Sequence, residues 1–370
     1  MRIKIIDLPT YETDPKIIAE QLQKVLKEIR KKKLARDLIG EDARSAEFEV
    51  DDFDDFAETL SSGIDLTMLD KRRIADRASK LAKARVTAAG ASHLKREEYD
   101  RLKPCIPGML AVMPQSEDWA DEVAAALHED MPWMARATEY AWHELRLAAS
   151  RGDPITIRPV ILNGPPGIGK SVWARALAEA LHVPMAEIDA SKGGAGMALV
   201  GLERGWGTAQ AGRPIDLMLT KRVANPLIIV DEICKATSKQ STRGSTYSFS
   251  DALLSLLEPA TARGWECQYF RIQFDMSHLS WILTSNDVHL VSEPVRSRCE
   301  VIDIPDVTIA QMQSFATKQA AKIGLSAGSL DAVLEAIARA PELIGRRMSF
   351  RDVLRMLARA EMLQGRPSLH

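Results

Sequence analysis

The sequence predicts an α/β protein: a parallel β-sheet with helices on both faces, preceded by a helical N-terminal region and followed by a helical C-terminal one. Three observations predict it. Between Thr156 and Pro305, short β-branched runs alternate with helical patterns, as parallel strands joined by crossover helices require. Beyond Pro305 the apolar period becomes purely helical. Before residue 112 the chain is charge-rich, with apolar residues at helical spacing. The expected domains are therefore 1–112, 113–305 and 306–370, since 370 residues exceed what one core organises.

In the first region, Ile17–Ile39 places Ile18, Leu22, Val25, Leu26 and Ile29 on one helical side, with Lys24, Lys27, Arg30 and Lys31–Lys33 interleaved. The lysine run reads as a solvated helix face, with a nucleic-acid contact as the alternative. An acidic stretch, Glu47–Phe56, carries Phe48, Phe53 and Phe56, and a second helix spans Leu69 to about Ala89. Two helices follow, Ser116–His128 and Pro132–Ala149. The second has its proline where a missing N–H costs least, and its aromatic side (Trp133, Tyr140, Trp142) reads as packed core. The strand candidates are Ile157–Leu162, Met185–Asp189, Leu227–Val230, Trp281–Thr284 and Glu300–Ile304, with Tyr269–Phe274 as a half-buried hairpin strand. The C-terminal helices are Ile309–Ile323, Leu330–Ala338 and Phe350–Leu363.

Composition excludes several classes of function. With 46% hydrophobic and 27% charged residues and a net charge of −2, the chain reads as soluble and globular, without a global pull toward nucleic acid or anionic membrane. Any such binding needs a local patch. The four cysteines are scattered, which suits reduced thiols better than a disulfide framework or a zinc site. The N-terminal apolar run is too short for a signal peptide and no later run has the length of a membrane span. A cytoplasmic protein without a membrane partner is expected.

The chemistry is concentrated in a few segments. Gly164-Pro165-Pro166-Gly167-Ile168-Gly169-Lys170-Ser171 satisfies G-x-x-x-x-G-K-[ST] between an apolar strand and the helix that Val172 opens. The glycines let successive N–H groups turn inward as a nest for phosphate oxygens, and the helix N-terminus adds its partial positive charge. Lys170 suits the β- and γ-phosphates and Ser171 suits Mg²⁺, so this P-loop makes ATP and Mg²⁺ the expected ligands. Leu227–Val230 delivers Asp231 and Glu232 at a strand's carboxyl end. Buried neighbouring acids are costly unless a cation meets them. Asp231 suits the metal, and Glu232 suits a general base. The strand ending Thr284-Ser285-Asn286 offers Asn286 to orient water, and Arg296 and Arg298 lie just before the last strand. A rigid guanidinium suits charge spreading on a γ-phosphate.

In this order, and followed by a helical lid, these segments resemble the AAA+ ATPase module, with Walker A at 164–171 and Walker B at 227–232. Within that superfamily the chain resembles the ATPase module of Lon proteases over residues 130–365. The carrying residues are 225–235 (NPLIIVDEICK), 252–259 (ALLSLLEP) and 269–277 (YFRIQFDMS), running into Thr284–Asn286. The resemblance implies that Arg298 is an arginine finger acting on a neighbouring subunit. It also implies that Arg351, or Arg347 in its place, is the lid arginine that senses γ-phosphate. A finger in trans implies a homo-oligomeric ring, typically a hexamer. The chain ends at His370, soon after the lid, so no peptidase domain and no proteolysis are expected. Where the family carries its pore loop, either Leu199-Val200 or Trp206 is the gripping residue. Lys235–Ser250, rich in Ser, Thr and cations, is a solvated connection or a second pore-facing loop. The function expected is an ATP-hydrolysing ring that remodels or threads a protein client. A nucleic-acid-associated ATPase, which the Ser297-Arg298-Cys299 likeness to clamp loaders suggests, and a slow assembly switch remain the alternatives.

Overall fold

The computed structural model describes residues 1–8, 12–41, 65–204, 209–236, 239–240, 246–247, 249–344 and 348–364. The chain divides into two compact units, Leu8–Asp100 and Met1–Asp7 with Arg101–His370. The smaller unit is a helical hairpin of α1 (Pro15–Glu41) and α2 (Met68–Ala88). Its core is Ile18 against Ala78 and Ala82, small residues that let the helix axes approach, with Leu22 and Leu81 at the margin. Thr67 and Asp70 form a reciprocal capping box at the start of α2, satisfying donors that the first turn leaves free. Arg30 then crosses from α1 to Asp70 at 2.7 Å.

In the larger unit, α3 (Glu117–Asp130) and α4 (Ala135–Arg151) precede the sheet. A five-stranded sheet follows: β1 (Val160–Asn163), β2 (Met185–Asp189), β3 (Leu227–Asp231), β4 (Ser280–Ser285) and β5 (Glu300–Asp303). The strand order is β5-β1-β4-β3-β2 and every pairing is parallel. This is the parallel sheet with crossover helices that the alternating pattern predicts. Residues 227–230 and all of β4 are buried, because helices cover both faces of the central strands. Helices α5 (Lys170–Ala180), α6 (Ala195–Val200), α7 (Arg213–Lys221) and α8 (Phe249–Leu257) lie between the strands in sequence. The C-terminal helices are α9 (Ile309–Ile323), α10 (Ala327–Ile344) and α11 (Phe350–Gln364). They share one apolar core with the sheet, through Met312, Ala316, Ile337, Phe350 and Val353.

Several boundaries differ from expectation, each for a physical reason. The helical unit closes at Asp100 rather than 112, and the first seven residues belong with the larger unit. Arg2–Ile3 pairs antiparallel with Met109–Leu110, and Ile6 bridges to Phe274, so the N-terminus is captured by distant partners. Strand β1 begins at Val160, not Ile157. The residues before it bond outside the ladder: Ile157 N–H donates to Ser280 Oγ, Ile155 C=O accepts from Asn225 Nδ2, and Ile155 N–H donates to Val112 O. The 269–274 segment forms a ladder only over Ile272–Phe274, paired with Trp265–Cys267, since Arg271 takes a left-handed φ of 50°. The packing is continuous across 305/306, where a domain boundary is expected from the change of period. Trp206, Arg347 and the 47–56 stretch lie outside the described residues, as does most of 237–248.

Candidate functional site

The order of strands decides which side chains meet. Strand β4 runs between β1 and β3, so the residues that follow it sit between the P-loop and the Asp231–Glu232 pair. At the end of β1 the chain turns tightly. A Cβ on Gly164 would lie 2.6 Å from Ile304 O, and one on Gly167 would lie 2.7 Å from Ser349 Cβ. Gly167 and Gly169 also have φ of 79° and 95°, which L side chains resist. Glycine is therefore needed for close approach at 164 and 167 and for backbone conformation at 167 and 169. Ile168 is buried, and its carbonyl accepts a 2.9 Å bond from Trp133 Nε1, which fixes the loop against the preceding helical turn. Helix α5 starts at Lys170, so its free N–H groups face the same cavity.

That cavity has a volume of about 870 Å³ and includes Lys170, Ser171, Asp231, Glu232, Asn286 and Arg351 in its wall. The size suits a nucleotide. Lys170 is only 7% exposed, and its Nζ donates to Gly164 O, Pro165 O and Asn286 Oδ1 at 2.7, 2.9 and 3.0 Å. Burial pushes its ammonium down to about 8, an effect that Asp231 only partly offsets. Ser171 Oγ donates to Asp231 Oδ1 at 2.7 Å, and the Thr284 hydroxyl donates to the same oxygen. The serine hydroxyl and the carboxylate are hard oxygen donors already converged, which fits Mg²⁺.

Glu232 adopts φ 56° and ψ 43°, a left-handed conformation that costs a non-glycine residue about 1–2 kcal/mol. Its N–H donates to Thr284 Oγ1 at 3.0 Å. Both carboxylate oxygens accept from Lys235 Nζ at 2.8 Å, one turn further along, and this bond raises the lysine's pKa. Asn286 N–H donates to Cys234 Sγ at 3.4 Å, which ties the end of β4 to the turn after β3. Arg351, at the start of α11, borders the P-loop, where Phe350 N–H donates to Gly167 O at 3.1 Å.

The structure brings together Gly164–Ser171, Asp231, Glu232, Asn286 and Arg351. Pro165 supplies a carbonyl to the Lys170 ammonium, Pro166 borders the cavity, and Val172 is half-exposed at its rim. Arg298 is not among the residues that wall it. Its Nε donates to Glu258 Oε2 at 2.9 Å and its Nη1 to Pro294 O at 3.0 Å. Leu199 and Val200 are buried in α6 and offer no gripping surface here. Two participants escape sequence reasoning. Thr284 is signalled only by its place at a strand end, and Lys235 only by its distance of three residues from Glu232.

Residues 160–305 match the model of the ATPase family associated with various cellular activities (AAA). Lon protease 4 of Sorangium cellulosum is 32% identical over 180 residues, 47% of this chain and 22% of that protein. The Lon protease of Mesomycoplasma hyopneumoniae is 29% identical over 189 residues, 51% of this chain and 21% of its own length. The peroxisomal Lon protease homolog 2 of Caenorhabditis elegans is 31% identical over 148 residues, 40% of this chain and 18% of that protein. The matches thus span about a fifth of these relatives. Across this region the chain is similar to the AAA family and to Lon proteases, and its parallel sheet accords with that likeness. Among the described residues, no helix is long and apolar enough to cross a membrane.

Proposed function

We propose, from a Lon-like AAA module as the premise, that this chain binds and hydrolyses ATP and uses the cycle to remodel or thread a protein client in a homo-oligomeric ring. The observation that carries the ATPase reading is the convergence of Lys170, Ser171, Asp231, Glu232 and Asn286 on one cavity beside a glycine turn. The amides of 164–169 and the α5 N-terminus hold the phosphates. Lys170 exchanges its loop carbonyls for phosphate oxygens. Ser171 and Asp231 hold Mg²⁺, which when bound neutralises charge on those oxygens. Glu232, released from Lys235, takes the proton of the attacking water while Asn286 orients that water.

Arg298 stands outside its own chain's cavity, which supports a role at the neighbouring subunit's site and hence a ring, a hexamer in the usual form. Arg351 is the lid's candidate for reading the γ-phosphate. The 306–370 helices form the lid, the 113–305 segment the catalytic core, and the N-terminal helices an adaptor. Phosphate release by the purified chain, with and without an unfolded protein, tests the reading. Stimulation by unfolded protein is expected. Absence of turnover in both conditions overturns the ATPase assignment, and stimulation by DNA alone replaces the protein client with nucleic acid.

A further inference from the structure

We infer that the outward face of α2 is a docking surface for a nucleic-acid phosphate backbone, independent of the nucleotide cavity and of the reading built on it. The chain as a whole is close to neutral, yet residues 15–33 and 68–88 hold fourteen Lys and Arg against four Asp and Glu. In α2 the structure sorts these charges. Ile74, Ala78 and Ala82 are buried against α1, while Arg72, Arg73, Arg77, Lys80 and Lys83 are all exposed. At 3.6 residues per turn, Arg73, Arg77 and Lys80 stand one above another, with Arg72 and Lys83 beside them. Asp76 is the only acid among them. None of the five cations forms an ion pair among the described residues, whereas Arg30 and Arg85 are committed to Asp70 and to Glu12 O.

The shape of this face selects the partner. From Arg72 to Lys83 the helix rises about 16 Å, which spans about five phosphates along one strand of a duplex, one for each cation. A protein interface needs apolar anchors at its centre and depletes charge there. Among the described residues, α2 exposes large apolar side chains only at Met68 and Leu69, before the basic stretch begins. An anionic membrane would need an apolar helix side to insert, and that side of α2 is packed on α1. A phosphate backbone asks for neither anchor nor insertion.

The test uses the full chain and a fluorescently labelled 30-base-pair DNA duplex, read by anisotropy. Binding is expected at 50 mM salt and should weaken on the order of 10²–10³-fold by 200 mM, as about five displaced counterions require. The R73E/R77E/K80E variant, with its helix content checked by circular dichroism, should lose at least ~10-fold in affinity. If reversing three charges unfolds the hairpin, R73Q/R77Q removes two contacts and should lower the salt slope by about two. No binding at 50 mM salt overturns the proposal, as does undiminished binding by a folded variant. Competition by polyglutamate as effective as unlabelled duplex, at equal charge, reassigns the face to an acidic protein.

Discussion

In the proposed mechanism Glu232 is the base, and the structure holds its carboxylate on Lys235 rather than free. Replacing it by Gln keeps the size and the backbone but removes the base. Glu232→Gln should bind nucleotide as tightly as the parent while turnover falls by about 10²-fold or more, measured by calorimetry beside phosphate release. Lys170 yields a second expectation. Its charged form is the one that attracts phosphate, and burial brings its pKa to about 8. Nucleotide affinity should hold below that value and decline as pH rises through it, which binding titrations from pH 6.5 to about 9.5 would follow. A flat profile would mean that the ammonium is not what the phosphates meet. These residues were legible in the sequence because each lies at a strand end or a glycine turn whose local pattern is complete. Thr284 and Lys235 were not, since a threonine hydroxyl or a lysine three residues away acquires meaning only when β3 and β4 are side by side.

At the scale of elements, the C-terminal helices are joined to the rest of the larger unit by aromatics from three segments. Trp133 and Phe350 have ring centroids 4.3 Å apart, and Phe315 lies 4.5 Å from Phe350. Trp133 also holds the glycine turn through Ile168 O, so one indole connects the C-terminal helices to that turn. Phe350→Ala should cost about 3–5 kcal/mol in denaturant unfolding, because the ring is buried and its neighbours collapse only partly. Gly167→Ala should weaken nucleotide binding, since the new methyl meets Ser349 and strains a positive φ; calorimetry reads this directly. Helical and strand periods revealed most elements to within a few residues. They marked Trp133 as core without naming its partners, because residues 133, 315 and 350 are brought together by tertiary packing and share no local pattern.

At the scale of the whole molecule, the proposal of a finger in trans makes a quantitative prediction. Arg298→Ala and Glu232→Gln subunits should each be nearly inactive alone. Mixed in equal amounts, they should regain about a quarter of parental turnover, because about one interface in four pairs an intact Glu232 with an intact Arg298. No recovery in mixed assemblies, with mass confirming that they form, would place Arg298 in its own site. Unit boundaries were the least legible level of all. The first seven residues leave no signal of their destination, since a two-residue strand is defined by its partner rather than by its period. That capture has a practical consequence for anyone cutting the gene. A fragment starting at Arg101 would shed the tiny ribbon that seals Met109–Leu110, baring backbone donors on an edge that invites self-association. Excising 8–100 internally and splicing Asp7 to Arg101 through a flexible tether would spare it.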